Sequence, residues 1–179
     1  MSKSGTTSMR LLFAGDFDIV GRAIATRMYR EGNQIAWLTS DSTPALWGDK
    51  IRGRVFRDEL TAEFCDQVLD GNAPDCIVFM TASWRELTTR PARRGTLLRD
   101  LGTVLRSAAK AGVRTVCLLS SEFLRDSGLL TPPLEELRAS ERIVTEFCHE
   151  NGMKPLVLRM GLIGQKVCMG LVPVHTPRL

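Results

Sequence analysis

Leu11-Leu12-Phe13-Ala14-Gly15-Asp16-Phe17-Asp18-Ile19-Val20-Gly21 joins an apolar run to a helical pattern through a glycine turn. The run reads as a buried strand. The pattern after it carries Ile24 and Met28 on one face and closes on Gly32. This is the strand–turn–helix of a dinucleotide-binding fingerprint whose middle glycine is replaced by Asp18. In such a turn the first glycine makes the tight bend and the second lets backbone approach a pyrophosphate. The third lets the helix pack on the strand. Gly15 and Gly21 keep the outer positions, and Asp18 holds the one that meets phosphate. A carboxylate roughly 4 Å from a phosphate charge, at an effective dielectric near 20, is repelled by about 4 kcal/mol. That is on the order of a thousandfold in affinity. A helix N-terminus also offers orphan N–H groups and a partial positive charge, which aspartate satisfies well. Asp18, or Asp16 beside it, therefore reads as a built-in anion in the place of a phosphate, and dinucleotide binding is expected to be impaired. An acid that merely points to solvent would instead leave weak binding.

Outward from this unit, strand and helix patterns alternate. Strands are expected at Arg10–Ala14, Gln34–Thr39, Arg54–Arg57, Cys76–Met80, Val113–Leu119 and Pro155–Arg159. Helices are expected at Ile19–Glu31, from Thr61 to about Leu69, over Thr96–Ala111 and from Pro132 to about His149. Gly71-Asn72-Ala73-Pro74 reads as the stop of the second helix. Near-continuous apolar strands separated by amphipathic helices imply a parallel sheet covered on both faces. The expected architecture is a three-layer, doubly wound, Rossmann-like α/β fold with strand order 3-2-1-4-5-6. Residues 1–8 read as a flexible leader, 9–164 as the nucleotide-binding-type domain and 165–179 as a tail that is either an extra strand or unordered.

The bulk numbers restrict the functional classes. A length of 179 residues, 44% hydrophobic and 25% charged, fits one ordinary globular domain. No apolar stretch reaches the length of a membrane span, and the polar start of the chain lacks the apolar core of a secretory signal. The net charge is +4 and the pI near 9.0. Apart from Arg52/Arg54/Arg57 and Arg90/Arg93/Arg94 the arginines are scattered, and only 6% of residues are aromatic. These features read as solvated faces rather than a nucleic-acid footprint. The five cysteines show no Cys-x-x-Cys spacing and there are two histidines. A reducing, cytoplasmic setting with no metal cluster is expected.

Several segments, in order and at matching spacing, resemble the extended short-chain dehydrogenase/reductase family of nucleotide-sugar epimerases and dehydratases. Besides the opening turn, Asp58 and Leu60 are similar to the family's Asp-Leu pair, and Phe79-Met80-Thr81-Ala82-Ser83 to the strand end beside the nicotinamide. Gly102-Thr103 through Gly112-Val113 resembles the helix leading into the fifth strand. Leu119-Ser120-Ser121 resembles the strand end with the catalytic serine, and Leu158-Arg159-Met160-Gly161 with Gly164 the Leu-Arg-Pro-Gly stretch. The resemblance covers Met9 to Gly164, the cofactor half of such proteins. It implies NAD or NADP as the cofactor, if any, with Gly15, Phe17, Asp18, Ile19, Gly21, Thr39, Asp58, Thr81 and Ala82 at cofactor positions and Ser121 at the catalytic serine. Asp58 reads equally well as a local cap. Thr39 stands where an acid would select NAD, so neither cofactor form is favoured; Asp41, nearby, is as well explained as a turn residue.

The departures bear on chemistry. The family's reaction uses a tyrosine as acid/base and a lysine four residues later that lowers the phenol pKa and holds a ribose hydroxyl. Aligned through Ser140, these positions are Leu137 and Glu141. A phenol with an unperturbed pKa near 10 needs a positive neighbour to work at neutral pH. Leucine carries no proton and glutamate reverses the charge. The single tyrosine, Tyr29, lies in the first helix. Three readings follow: a non-catalytic binding or scaffolding module; an NAD(P)-dependent enzyme with relocated residues such as Ser121, Thr81 or Glu122; or a subunit docking on a true enzyme. Family members of this type continue into a substrate lobe, so a second copy or a partner protein is expected over the surface it covers.

Overall fold

The computed structural model describes residues 8–15, 19–39, 54–81, 96–122, 124, 132–160 and 172–173. Its strands are β1 (Arg10–Gly15), β2 (Gln34–Thr39), β3 (Arg54–Arg57), β4 (Cys76–Met80), β5 (Thr115–Ser121), β6 (Lys154–Met160) and β7 (Val172–Pro173). Its helices are α1 (Ile19–Arg30), α2 (Ala62–Asn72), α3 (Thr96–Lys110) and α4 (Pro132–Glu150). One sheet contains all the strands in the order β3-β2-β1-β4-β5-β6-β7. The first six are parallel, as expected for apolar strands joined by helices. From the tail, β7 adds a short antiparallel edge beside Leu158 and Arg159.

Alternation along the strands divides the core into two layers. Leu12, Ala14, Leu38, Ile77, Phe79, Val116 and Leu118 pack with α2, α3 and α4. Leu11, Phe13, Ile35, Trp37, Val78, Cys117 and Leu119 pack on the opposite face with Ala25 of α1. All five residues of β4 are buried, which places it at the centre of the sheet. Phe13 and Trp37 meet at a ring-centroid distance of 4.9 Å.

The largest local constraint is at Gly15. Its φ is +103°, and a Cβ there would lie 2.3 Å from the Met80 carbonyl oxygen of β4. No side chain fits that space, and L-residues avoid that backbone region. The glycine that the fingerprint assigns to a tight turn is therefore also required for the approach of β1 to β4.

Three elements, α2, β5 and β6, differ most from the sequence reading, and other ends agree to within about one residue. Helix α2 runs to Asn72 rather than Leu69. Gly71 is accommodated in its last turn, Asn72 Nδ2 donates to the Val68 carbonyl (2.6 Å), and the Ala73 N–H closes on the Leu69 carbonyl. Ala73 adopts the left-handed conformation, with φ 38°, and Pro74 follows it. Proline, not glycine, marks this stop. Strand β5 starts at Thr115 and continues through Ser121, two residues later at each end than expected. Val113 is buried, but its N–H donates to the Ala108 carbonyl, so it belongs to the turn that ends α3. Strand β6 likewise extends one residue beyond the expected range at each end.

Cys65, Cys76, Cys117 and Cys148 are free and buried. Burial pushes the thiols of Cys65, Cys76 and Cys148 up to about 11 and that of Cys117 to about 12. Unfolded thiols ionise near pH ~8.5, so above that value the unfolded chain releases protons that the folded chain retains. Their contribution to stability is complete below pH ~8.5 and lost as pH rises to about 11 to 12. At pH 8 a thiol reagent should leave these four cysteines unlabelled in the native protein and label them in urea.

Gly15→Ala should destabilise the fold by about 3 kcal/mol or more, combining left-handed backbone with backbone overlap. A large fall in the urea midpoint checks this, and a wild-type midpoint would contradict it.

Candidate functional site

In open α/β sheets ligands bind outside the carboxyl ends of the strands, where the strand order reverses. Here that reversal lies between β1 and β4, at Gly15 and Met80. Gly15 sits there as the close approach requires, and Gly21 is buried within α1. Asp16, Phe17, Asp18 and Ala82 lie outside the described residues, as does Asp41. Helix α1 begins at Ile19.

Around this edge the polar residues are engaged by the protein itself. Thr81 Oγ1 donates to the Leu119 carbonyl at 2.9 Å, bridging the ends of β4 and β5. Thr39, at the end of β2, is fully buried. Asp58 is exposed; its Oδ1 accepts from the Glu59 N–H at 2.7 Å, and its own N–H donates to the Thr39 carbonyl. It caps the loop that leads to Thr61, whose hydroxyl accepts from the Phe64 N–H at the start of α2.

Helix α4 carries Leu137 and Glu141, the two positions that the sequence comparison sets against the resembled family's tyrosine and lysine. Leu134, Leu137, Glu141, Val144 and Cys148 recur at helical spacing, and all but Glu141 are buried apolar residues. Leu137 is 3% exposed and packs in a small cluster with Leu124 and Leu134. Glu141 places a charge in this apolar stripe, which is unfavourable without a partner. The partner is Arg159 of β6. Arg159 Nε donates to Glu141 Oε1 at 2.9 Å and Nη2 to Oε2 at 2.7 Å, with side chains only 26% and 13% exposed. This is the two-pronged geometry that guanidinium and carboxylate favour. Hydrogen bonds from Glu141 raise the Arg159 pKa above the ordinary arginine value, with Glu122 a smaller influence of the same sign.

The register of β5 on β6 sets what lies beside this pair. Ser120 pairs with Arg159 and Ser121 with Met160. Ser120 has the parity of Val116 and Leu118, on the α4 side. Its hydroxyl is buried and has no hydrogen-bond partner among the described residues. Ser121 has the parity of Cys117 and Leu119 and projects from the other face. Thus Leu137, Glu141, Arg159 and Ser120 are gathered on one side of the sheet, and Ser121 is not among them. Sequence reasoning identified the charge reversal at Glu141 but not its Arg159 partner. The signal available was a lone acid on an apolar helical stripe followed by an arginine in an apolar strand. Among the described residues, no group of His, Cys, Asp and Glu could hold a metal ion, and no helix is long and apolar enough to cross a membrane.

No family profile matches the sequence, and no curated protein sequence does. Solved structures do match the fold. The UDP-glucose 4-epimerase of Thermotoga maritima, solved with UDP-glucose, superposes with a TM-score of 0.71 at 15% identity, over 84% of this chain and 55% of that one. That of Brucella ovis, in complex with NAD, gives 0.72 at 15% identity over 85% and 51%. That of Thermus thermophilus, also with NAD, gives 0.69 at 18% identity over 84% and 54%. The chain therefore has the fold of part of these epimerases, and it spans little more than half their length.

Removing one partner of a well-formed, partly buried pair leaves the other uncompensated. Arg159→Ala or Glu141→Ala should each cost about 1.5–3 kcal/mol. Glu141→Arg combined with Arg159→Glu should recover much of that loss. Urea denaturation of the wild type, Glu141→Ala, Arg159→Ala and the double variant Glu141→Ala/Arg159→Ala in a double-mutant cycle should return a coupling of at least about 1 kcal/mol; additive effects would show the pair to be energetically idle.

Proposed function

We propose that this chain is a non-catalytic form of the epimerase/dehydratase nucleotide-binding domain, acting as a binding or scaffolding module with impaired dinucleotide binding. The observation that carries the reading is the Glu141–Arg159 pair, closed by hydrogen bonds of 2.9 and 2.7 Å at the position where the resembled family has a lysine. Proton transfer at a sugar carbon needs a titratable group positioned over it and held near the working pH. Leu137 offers none and is enclosed by Leu124 and Leu134. Glu141 brings negative charge and directs it at Arg159, so neither a phenol nor a free cation is presented from this stripe of α4.

The solved neighbours bound to NAD support a dinucleotide-type cleft in this fold. The fit of such a group to this chain is uneven. Gly15 preserves the turn that a diphosphate approaches. At the nicotinamide-ribose end, the carboxylate of Glu141 replaces a cation, and the Thr81 hydroxyl is committed to Leu119. Asp18 adds a negative charge at the phosphate position of the sequence motif. The resident chemistry favours an apo-like domain, and no reaction step is assigned to a cofactor.

Thermal unfolding with NAD, NADH, NADP and NADPH at millimolar concentration tests this reading. The wild-type melting temperature should stay flat in all four. Asp18→Gly should restore a concentration-dependent rise, corresponding to at least about a tenfold gain in affinity. A wild-type rise that grows with any dinucleotide would overturn impaired binding. An unchanged affinity in Asp18→Gly would remove its electrostatic basis.

A further inference from the structure

At the opposite end of the sheet lies a cleft of about 490 Å³ that plays no part in the reading above. Arg10, Gln34 and Arg54 are the first residues of β1, β2 and β3, neighbouring strands in the sheet. Each has the parity of residues packed against the α2 layer: Arg10 that of Leu12, Gln34 that of Leu38, and Arg54 that of Phe56. The three side chains therefore project from one face; Arg10 pairs with Gln34, and Arg54 lies opposite Ala36, two residues along β2. Half-buried Ala36, Tyr29 near the end of α1, and Gly71 in the last turn of α2 also line the cleft. A Cβ on Gly71 would meet nothing within 4 Å.

The charges in the cleft are not equivalent. Arg10 is paired with Asp75, through Nη2 to Oδ1 at 3.3 Å and its backbone N–H to Oδ2 at 2.8 Å. These bonds hold the Asp75 carboxyl below the ordinary carboxylate range. Arg54 has no hydrogen bond or ion pair among the described residues and is exposed. The negative end of α2 is partly neutralised, since the Val68 carbonyl accepts from Asn72 and the Leu69 carbonyl from the Ala73 N–H. The result is a cleft lined by apolar, aromatic and basic residues in which the Arg54 guanidinium has no partner among the described residues. Its volume lies within the roughly 300–1,000 Å³ of small-molecule sites, which combine apolar lining with a few placed polar groups.

We propose that this amino-edge cleft binds a small aromatic anion, a carboxylate or phosphate held by Arg54 with its ring against Ala36 and Tyr29. The reading gives Arg54, one member of the sequence's Arg52/Arg54/Arg57 group, a role beyond a solvated face. It is independent of whether the carboxyl edge holds a dinucleotide.

Benzoate, phenyl phosphate and neutral benzamide test it, titrated to 10 mM as an order-of-magnitude ceiling against the full chain by thermal shift and calorimetry. Benzoate or phenyl phosphate should stabilise the protein in a concentration-dependent way, and the stronger of the two identifies the anionic group. Benzamide should not. Arg54→Ala should weaken binding about tenfold, because a charge-assisted hydrogen bond is lost, and Arg54→Lys should weaken it less. Gly71→Leu should abolish binding by filling the cleft. It should not lower stability, since it replaces a helical glycine facing open space, so loss of binding there is not loss of fold. No response to either anion, an equal response to benzamide, or binding unchanged in Arg54→Ala would overturn the proposal. Binding lost in Arg54→Ala but intact in Gly71→Leu would place the anion on the surface and overturn the cleft.

Discussion

The contact of Gly15 with the Met80 carbonyl organises this molecule. With room for a hydrogen but not a Cβ between them, β1 lies against β4 up to its last residue and the chain must then turn away. That adjacency splits the sheet. Strands β2 and β3 extend on one side of β1, and β5, β6 and β7 extend beyond β4 on the other. Helix α1 covers one face, while α2, α3 and α4 cover the other. Packing by itself is enough to require the glycine, whether or not a phosphate approaches it.

The same separation of fold from chemistry holds on α4. Its buried stripe needs apolar residues to cover the sheet, and Leu137 meets that need better than a phenol with a hydroxyl to satisfy. Glu141 does not meet it alone. An unpaired carboxylate in that stripe would be strongly unfavourable, whereas Arg159 makes the position tenable. The pair ties α4 to β6, next to the strand edge where β7 adds its short antiparallel segment. Glu141 is thereby part of the framework of the fold.

How much of this could be read from residues alone follows from range. The apolar runs around Phe13, Val78 and Leu118 specified parallel strands and their order, because each is buried on both faces and joined by a helix. The stop at Gly71-Asn72-Ala73-Pro74 is legible in the sequence, but the last turn of α2 reaches into it because Asn72 and Ala73 close that turn on Val68 and Leu69. Val113 was read as strand because burial alone does not distinguish a helix-ending turn from a strand. The sequence showed Glu141 as a reversed charge, but its partner lies 18 residues away and is placed by the pairing of β5 with β6. The side of the sheet taken by Ser120 and Ser121 depends on the same pleat. A one-residue change of register exchanges the two faces, which is why a serine at a strand end is a weak marker of a site.

The two edges of the sheet consequently differ in electrostatic character. At the carboxyl edge, Arg159 is answered by Glu141, Thr81 by the Leu119 carbonyl, and Asp58 by the Glu59 amide. Groups that would otherwise be available to a ligand are engaged inside the protein, and the net effect is rigidity. At the amino edge, Asp75 answers Arg10, while Arg54, two strands away on β3, has no partner among the described residues. In a chain of net charge +4, Arg54 is placed beside Ala36 by strand register rather than by a salt bridge among the described residues. Because β3 starts opposite Ala36, two residues beyond Gln34, register carries Arg54 inward from the row of Arg10 and Gln34, while parity keeps all three on one face.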